Sequence, residues 1–353
     1  GRGPLVRALL FRVAEEEHVL LGVMHHIVSD GWSMGIFIEE IHALYWAFRA
    51  GQPSPLSELP IQYVDYAIWQ REWLQGEALD SQLAYWKRQL ADLPTLQLPT
   101  DRPRPAAQSY RGATSFSPLP DSLAKAVRNL SQTEKVSLFM TLLAAFKVLL
   151  YRYTGQDDIP VGSPFANRNR LETQGLIGFF VNVLVMRTDL SGNPTFRDVL
   201  QRVRHTVADA YEHQDIPFEK LVDELQVERD MSRTPLFQVA FTLHTVPPIK
   251  IDLLQVDSGV TKFDLTFYVR DTGDQLLLEL EYNTDLFKSD RIARMVDHFH
   301  TLLERIAANP ERRLSELAPL TESERHQLLV SWNDTTVSIP RQACIHHLVE
   351  GQA

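Results

Sequence analysis

Along the chain, short apolar runs alternate with stretches whose apolar residues recur every three or four positions, and the two periods predict strands and helices in turn. Leu5–Val13 and Val19–Met24 are apolar runs on either side of the acidic turn Glu15-Glu16-Glu17, a pattern that predicts a hairpin. After Asp30-Gly31, the residues Ile36, Ile38, Ile41, Leu44, Tyr45 and Phe48 fall at helical spacing, and Gly51 followed by Pro53 closes that helix. Residues 51–60 hold three prolines and no periodicity, so they read as a connection between lobes. Ile61–Leu74 and Leu79–Leu90 return to helical spacing with several aromatics, whereas residues 94–120 are proline-studded and extended. Ser137–Tyr151 is apolar nearly all the way round, the mark of a buried helix. Ile159–Ser163, Phe179–Thr188 and Leu236–His244 read as strands, and Thr195–His213 as an amphipathic helix. Phe263–Arg270 and Gln275–Asn283 form a hairpin signal across Asp271-Thr272-Gly273-Asp274, and a long helix runs from about Ser289 to Ala308. No repeat of 20 to 50 residues interrupts this order. The expectation is a two-lobed, layered α/β (α+β) fold.

Composition narrows what such a fold could do. With 353 residues, 44% hydrophobic and 23% charged, the chain has ordinary globular usage and length for about two domains. Its net charge of −10 argues against a phosphate-rich partner such as nucleic acid. A single cysteine, Cys344, excludes an internal disulfide framework and any zinc site with several thiolates, and fits a reducing cytoplasm. There is no run of 18 uninterrupted apolar residues and no signal-peptide pattern, so neither a membrane span nor export is expected. Gly1-Arg2-Gly3-Pro4 leads at once into a strand pattern, from which the chain is expected to be a piece of something longer.

The strongest chemical signal is Met24-His25-His26-Ile27-Val28-Ser29-Asp30-Gly31-Trp32-Ser33, where a strand pattern gives way to a helix pattern. Such turns present side chains into clefts. Neighbouring residues of a regular strand point to opposite faces, so only one of His25 and His26 is expected to be functional. A neutral imidazole is a suitable general base, and Asp30 is placed to hold its tautomer or its loop. Gly31 would allow a backbone approach that a Cβ would prevent, and Ser33 or Asp30 would cap the helix. Two histidines alone do not make a metal site. Gly162-Ser163-Pro164 is not the Gly-x-Ser-x-Gly turn of a serine hydrolase, and no glycine-rich phosphate loop is present.

The segment HHIVSDG resembles the HHxxxDG motif of condensation domains of nonribosomal peptide synthetases. Four more segments are similar to that family in the same order: Tyr63-Val64-Asp65-Tyr66-Ala67-Ile68-Trp69, Ile177–Arg187 with Val183 at a usual threonine, His213–Glu219 as HQDxPFE, and Arg229–Leu236 with Thr234 at a usual asparagine. The resemblance implies a two-lobed, chloramphenicol acetyltransferase-like fold. It divides the chain into the remaining part of the first lobe (1–58), the second lobe (59–316), a linker (317–344) and the start of an adenylation domain (345–353). The family's first lobe runs well upstream of the HHxxxDG strand, so it is expected to be incomplete here, including segments that line the donor side.

For function, the resemblance implies amide formation between substrates held as thioesters on phosphopantetheine arms of upstream and downstream peptidyl carrier proteins. No cofactor or metal would be bound by the chain itself. His26 would be catalytic, as base or as orienting partner of the amine, with His25, Asp30 and Gly31 in support. Asp30 would pair with Arg168 or Arg187. Tyr66, Trp69, Asn182, Phe218 and Arg233 would be packing residues. Ser29 and Trp32-Ser33 around Asp30-Gly31 resemble domains that take an L-configured donor. Leu317–Arg325, Trp332–Thr335 and Ile345–Glu350 resemble the passage into a C-terminally fused adenylation domain, where His346 and His347 would dock or pack, and Thr321 with Glu324 would form a capping box. The alternatives are an epimerisation-type domain of the same fold and a non-catalytic docking scaffold.

Overall fold

A computed structural model describes residues 3–227, 230–245, 259–335 and 344–351. Arg229 of the last family-like motif, residues 336–343 of the expected linker, and the side chain of His347 lie outside the described residues.

β1 (Val6–Arg12) and β2 (His18–Met24) pair antiparallel from Val6 opposite Met24 to Arg12 opposite His18, as their flanking of an acidic turn predicts. α1 (Gly31–Arg49) follows, then, beyond the proline-rich connection, α2 (Tyr63–Trp73) and α3 (Gly76–Gln89). Six further strands, β3 (Gly112–Pro118), β4 (Asp158–Phe165), β5 (Asn182–Asp189), β6 (Val239–Thr245), β7 (Leu265–Asp271) and β8 (Leu276–Asn283), make one sheet in the order β3-β8-β7-β6-β4-β5. β6 runs parallel to β4 and β7, and the other neighbours are antiparallel. The remaining helices are α4 (Asp121–Thr133), α5 (Leu138–Thr154), α6 (Leu171–Gln174), α7 (Phe196–Glu212), α8 (Phe218–Glu224), α9 (Ser289–Ala308), α10 (Glu322–Leu329) and α11 (Ile345–Glu350).

The large core lies between this sheet and α4, α5, α7 and α9. α5 is its centre, and ten of its consecutive side chains from Thr141 to Leu150 are buried, as an all-round apolar helix must be. Ser137 caps its first turn and Gly155, at φ 69°, ends it in the left-handed conformation that glycine adopts without strain. Among the described residues no single helix is long and apolar enough to cross a membrane.

Three readings of the sequence are corrected. Residues 94–120, read only as a proline-studded extended stretch, also hold a strand that went unread, β3, which pairs with β8 along its whole length. α4 and α8, which begin just after Pro120 and Pro217, went unread. β5 starts at Asn182 and not at Phe179, because the backbone donors just before it are taken by the side chains of Ser33 and Asp30 at the start of α1, as described below.

Residues 317–324, part of the expected linker, are held against α9. Leu317 is fully buried, Arg305 donates to the Ala318 and Leu320 carbonyls, and Glu324 joins His298 of α9 at 2.9 Å. The Thr321–Glu324 capping box forms as its spacing suggests.

One buried charge in the core leads to a stability prediction. Lys147 of α5 is fully buried, and its Nζ donates to the carbonyls of Ile159 (2.7 Å) and Met186 (2.5 Å). Burial pushes its pKa down from 10.5 to about 7, opposed in part by Asp158. Between those two values the unfolded chain holds a proton that the native amine has released, so stability rises with pH across that window. Below it both states are protonated and the full penalty is present. Lys147→Met is therefore expected to flatten this rise, by up to about 1.4 kcal/mol per pH unit. Urea midpoints from pH 7 to 10 measure it, and an unchanged slope would count against a native amine deprotonated in this range.

Candidate active site

The two histidines take different parts because β2 ends just before them and a 3-10 turn, with His25 as its cap, begins at His26. His25 N–H makes the last hairpin bond, to Leu5 O at 2.8 Å, and the chain then enters a 3-10 turn over His26–Val28. The Nδ1 of His25 accepts from Ile27 N–H at 3.1 Å and so caps that turn. The Nδ1 of His26 stands 2.7 Å from the Ser29 carbonyl. A carbonyl only accepts, so this nitrogen carries the proton and the Nε2 of neutral His26 keeps its lone pair. His25 has the opposite tautomer. The His26 side chain is exposed, and its ring meets Phe179 edge-on, with centroids 5.0 Å apart at 89°.

Asp30 is buried and wholly committed. It caps α1 through Ser33 N–H at 2.8 Å, faces Arg168 Nη2 at 3.2 Å, and accepts from Phe180 and Val181 N–H at 2.9 and 3.2 Å. Burial alone would push its carboxyl up, but the Ser33 and Phe180 N–H groups and the Arg168 guanidinium outweigh it and hold the pKa below the ordinary value. A carboxylate so engaged is no base. It fastens α1 to the segment before β5.

Of the two arginines considered for this carboxylate, Arg168 reaches it and Arg187 does not. Arg168 also donates to the Thr173 and Leu176 carbonyls at 2.6 and 2.7 Å, and its guanidinium lies 4.1 Å from the Phe180 ring centroid. Arg187 lies further along β5, where it pairs with Asp158 at 2.8 Å and binds the Gln89 and Ala91 carbonyls. Gly31 is the first residue of α1, has no positive φ, and a Cβ built there would meet nothing within 4 Å, so among the described residues no contact requires a glycine there.

Sequence reasoning missed a glycine beside the site that the packing does require. A Cβ on Gly178 would overlap the ring of Tyr63, whose hydroxyl donates to Phe179 O at 2.8 Å. Tyr63, Tyr66 and Phe180 pack ring against ring over Leu176, and this small second core joins α2 to the same segment. Gly178→Ala is expected to cost about 1–3 kcal/mol by overpacking, read as a lower thermal midpoint; an unchanged midpoint would mean that the contact relaxes freely.

Most other motif residues are structural. Asn182 binds the Gln214 and Ile216 carbonyls, each at 2.7 Å, and accepts from Phe218 N–H at 3.0 Å, which ties β5 to the loop before α8. His213 stacks on Tyr85 with centroids 4.0 Å apart. Trp69 lies under the Arg170 guanidinium at 4.0 Å. Arg233 faces Asp230 at 3.7 Å.

The condensation-domain family profile matches residues 1–329. The chain is 51% identical over 359 residues to a linear gramicidin synthase polypeptide of Brevibacillus parabrevis, covering 99% of this chain and 7% of that protein. It is 48% identical to chondramide synthase cmdD of Chondromyces crocatus, covering 100% of this chain and 9% of that protein. Among solved structures, the X-domain from teicoplanin biosynthesis superposes with a TM-score of 0.82 at 30% identity, over 90% of this chain and 75% of that one. A four-domain nonribosomal peptide synthetase bound to AMP and glycine shares the fold, with a TM-score of 0.82 at 24% identity over 92% of this chain and 26% of that one. The chain thus spans less than a tenth of the length of either synthase.

Proposed function

The chain belongs to the condensation-domain family of nonribosomal peptide synthetases, and from that premise we propose that it joins two carrier-bound substrates by an amide bond. The observation that carries this reading is the Nε2 lone pair of the exposed His26, left unengaged because Nδ1–H bonds Ser29 O, on a turn that runs into the buried Asp30–Arg168 pair. The acceptor amine attacks the carbonyl carbon of the donor thioester, and the new C–N bond forms as the C–S bond breaks. His26 Nε2 takes or orients the proton that the amine loses, and that proton ends on the departing thiol. One amide and one thiol result.

The chain needs no thiol of its own for this chemistry, since the sulfur arrives on the phosphopantetheine arms of upstream and downstream peptidyl carrier proteins. Much of the acceleration would come from holding two tethered reactants in place, worth about 7–11 kcal/mol in well-oriented systems. The residues around Asp30-Gly31 support an L-configured donor, and the tail supports fusion to an adenylation domain.

A second reading has one observation in its favour. The X-domain, at 30% identity, is known in a complex with OxyB, so in that protein the fold serves as a docking surface. An intact synthetase, reconstituted with donor and acceptor carriers loaded, separates the two. Amide product appearing only when both carriers are loaded supports condensation. Carrier binding without product from any loaded pair supports docking.

A further inference from the structure

The grip between α1 and the segment before β5 has two halves, and only the half built on Asp30 is accounted for above. The other half is Ser33, which is fully buried. Its hydroxyl donates to Gly178 O at 2.8 Å and accepts from Gly178 N–H at 3.1 Å and from Arg168 Nη2 at 2.8 Å. One donor and two acceptor positions are thereby all used, which is a hydroxyl's full capacity. Asp30 holds the N–H groups of Phe180 and Val181 two and three residues further on. Phe179 lies between the two grips, with its carbonyl taken by Tyr63 Oη, and its ring is the one that stands edge-on to His26.

We propose that Ser33 is a positioning residue for His26: by gripping both polar groups of Gly178 it sets the Phe179 ring against the imidazole and so fixes the direction of Nε2. The hydrogen bond to Ser29 O fixes the tautomer, but a single bond leaves the ring able to rock about it. Phe179 is the flanking surface that stops this motion, and Phe179 cannot be placed without its neighbour Gly178. This role rests on the amide-forming reading.

The test uses single-turnover amide formation by the intact synthetase with both carriers loaded. Ser33→Ala is expected to lower the rate at saturation about tenfold while the half-saturating concentration of loaded carrier stays unchanged. Phe179→Leu, at a partly exposed position, is expected to do the same. The double variant is expected to be no slower than the slower single, because both remove one constraint. Losses that multiply in the double variant, or a change confined to half-saturation, would overturn the proposal. Should Ser33→Ala fail to fold, Phe179→Leu at full rate would overturn it equally. An active wild type with a fully active Ser33→Ala sinks the Ser33 role alone, whereas a wild type that forms no product sinks the amide-forming reading and this role with it.

Discussion

Asp30→Ala is expected to lower the stability of the fold by about 3–5 kcal/mol, the usual cost of stripping one partner from a buried ion pair. The side chains of Asp30 and Arg168 are 2% and 1% exposed, so no water replaces the lost carboxylate. The same change removes the cap of α1, worth about 1 kcal/mol, and frees the N–H groups of Phe180 and Val181. Charge, cap and segment are lost together, so amide formation is expected to fall with stability. The diagnostic comparison is the double variant Asp30→Ala with Arg168→Met, measured by urea unfolding. If the cost comes from the stranded guanidinium, the double variant is more stable than Asp30→Ala alone. If the two changes merely add, the cost comes from the lost cap and backbone bonds.

Much of the fold was legible because its elements obey simple periods. The hairpin β1–β2, the buried helix α5 and the hairpin β7–β8 each have one strong local signal, and each forms where that signal lies. What was missed had its signal split. α4 carries Leu123, Val127 and Leu130 on one face, directly after Pro120, where the proline-studded stretch was read to end, yet residues 121–136 were given no element. β3 has little apolar content of its own and exists because β8 offers it a partner. Sheet order was beyond reach, since the parallel placement of β6 between β4 and β7 depends on pairings far apart in the chain.

The site was legible as a list of residues and not as an arrangement. His26, Asp30 and the choice between Arg168 and Arg187 could be set down from motifs, yet only the structure separates the arginines, because Arg187 is claimed by Asp158 on the neighbouring strand. Gly31 drew attention as the glycine of a motif, while the glycine beside the site that has no room for a Cβ is Gly178, whose constraint comes from a tyrosine 115 positions earlier in the chain. Ser33 and Asp30 were both open as the helix cap; Asp30 takes that role, and Ser33 reaches across to Gly178. Each of these depends on contacts between distant segments, which no local pattern encodes.

His26 carries the larger functional prediction. In the neutral rings its Nε2 keeps a lone pair that no bond within the turn engages, whereas the lone pair of His25, on Nδ1, is taken by Ile27 N–H. The His26 side chain is exposed, and its removal leaves the buried Asp30–Arg168 grip intact. His26→Ala is therefore expected to fold as the wild type does, whereas His25→Ala loosens the turn and acts indirectly. Loss of a proton-transfer group typically costs about 10²–10⁴-fold in rate. The most direct measurement is the single-turnover rate of amide formation between two loaded carriers for His26→Ala in the intact synthetase, with carrier affinity determined separately. The expected result is a rate lower by about 100-fold or more with affinity unchanged; an undiminished rate would contradict the assignment of His26 as the catalytic residue.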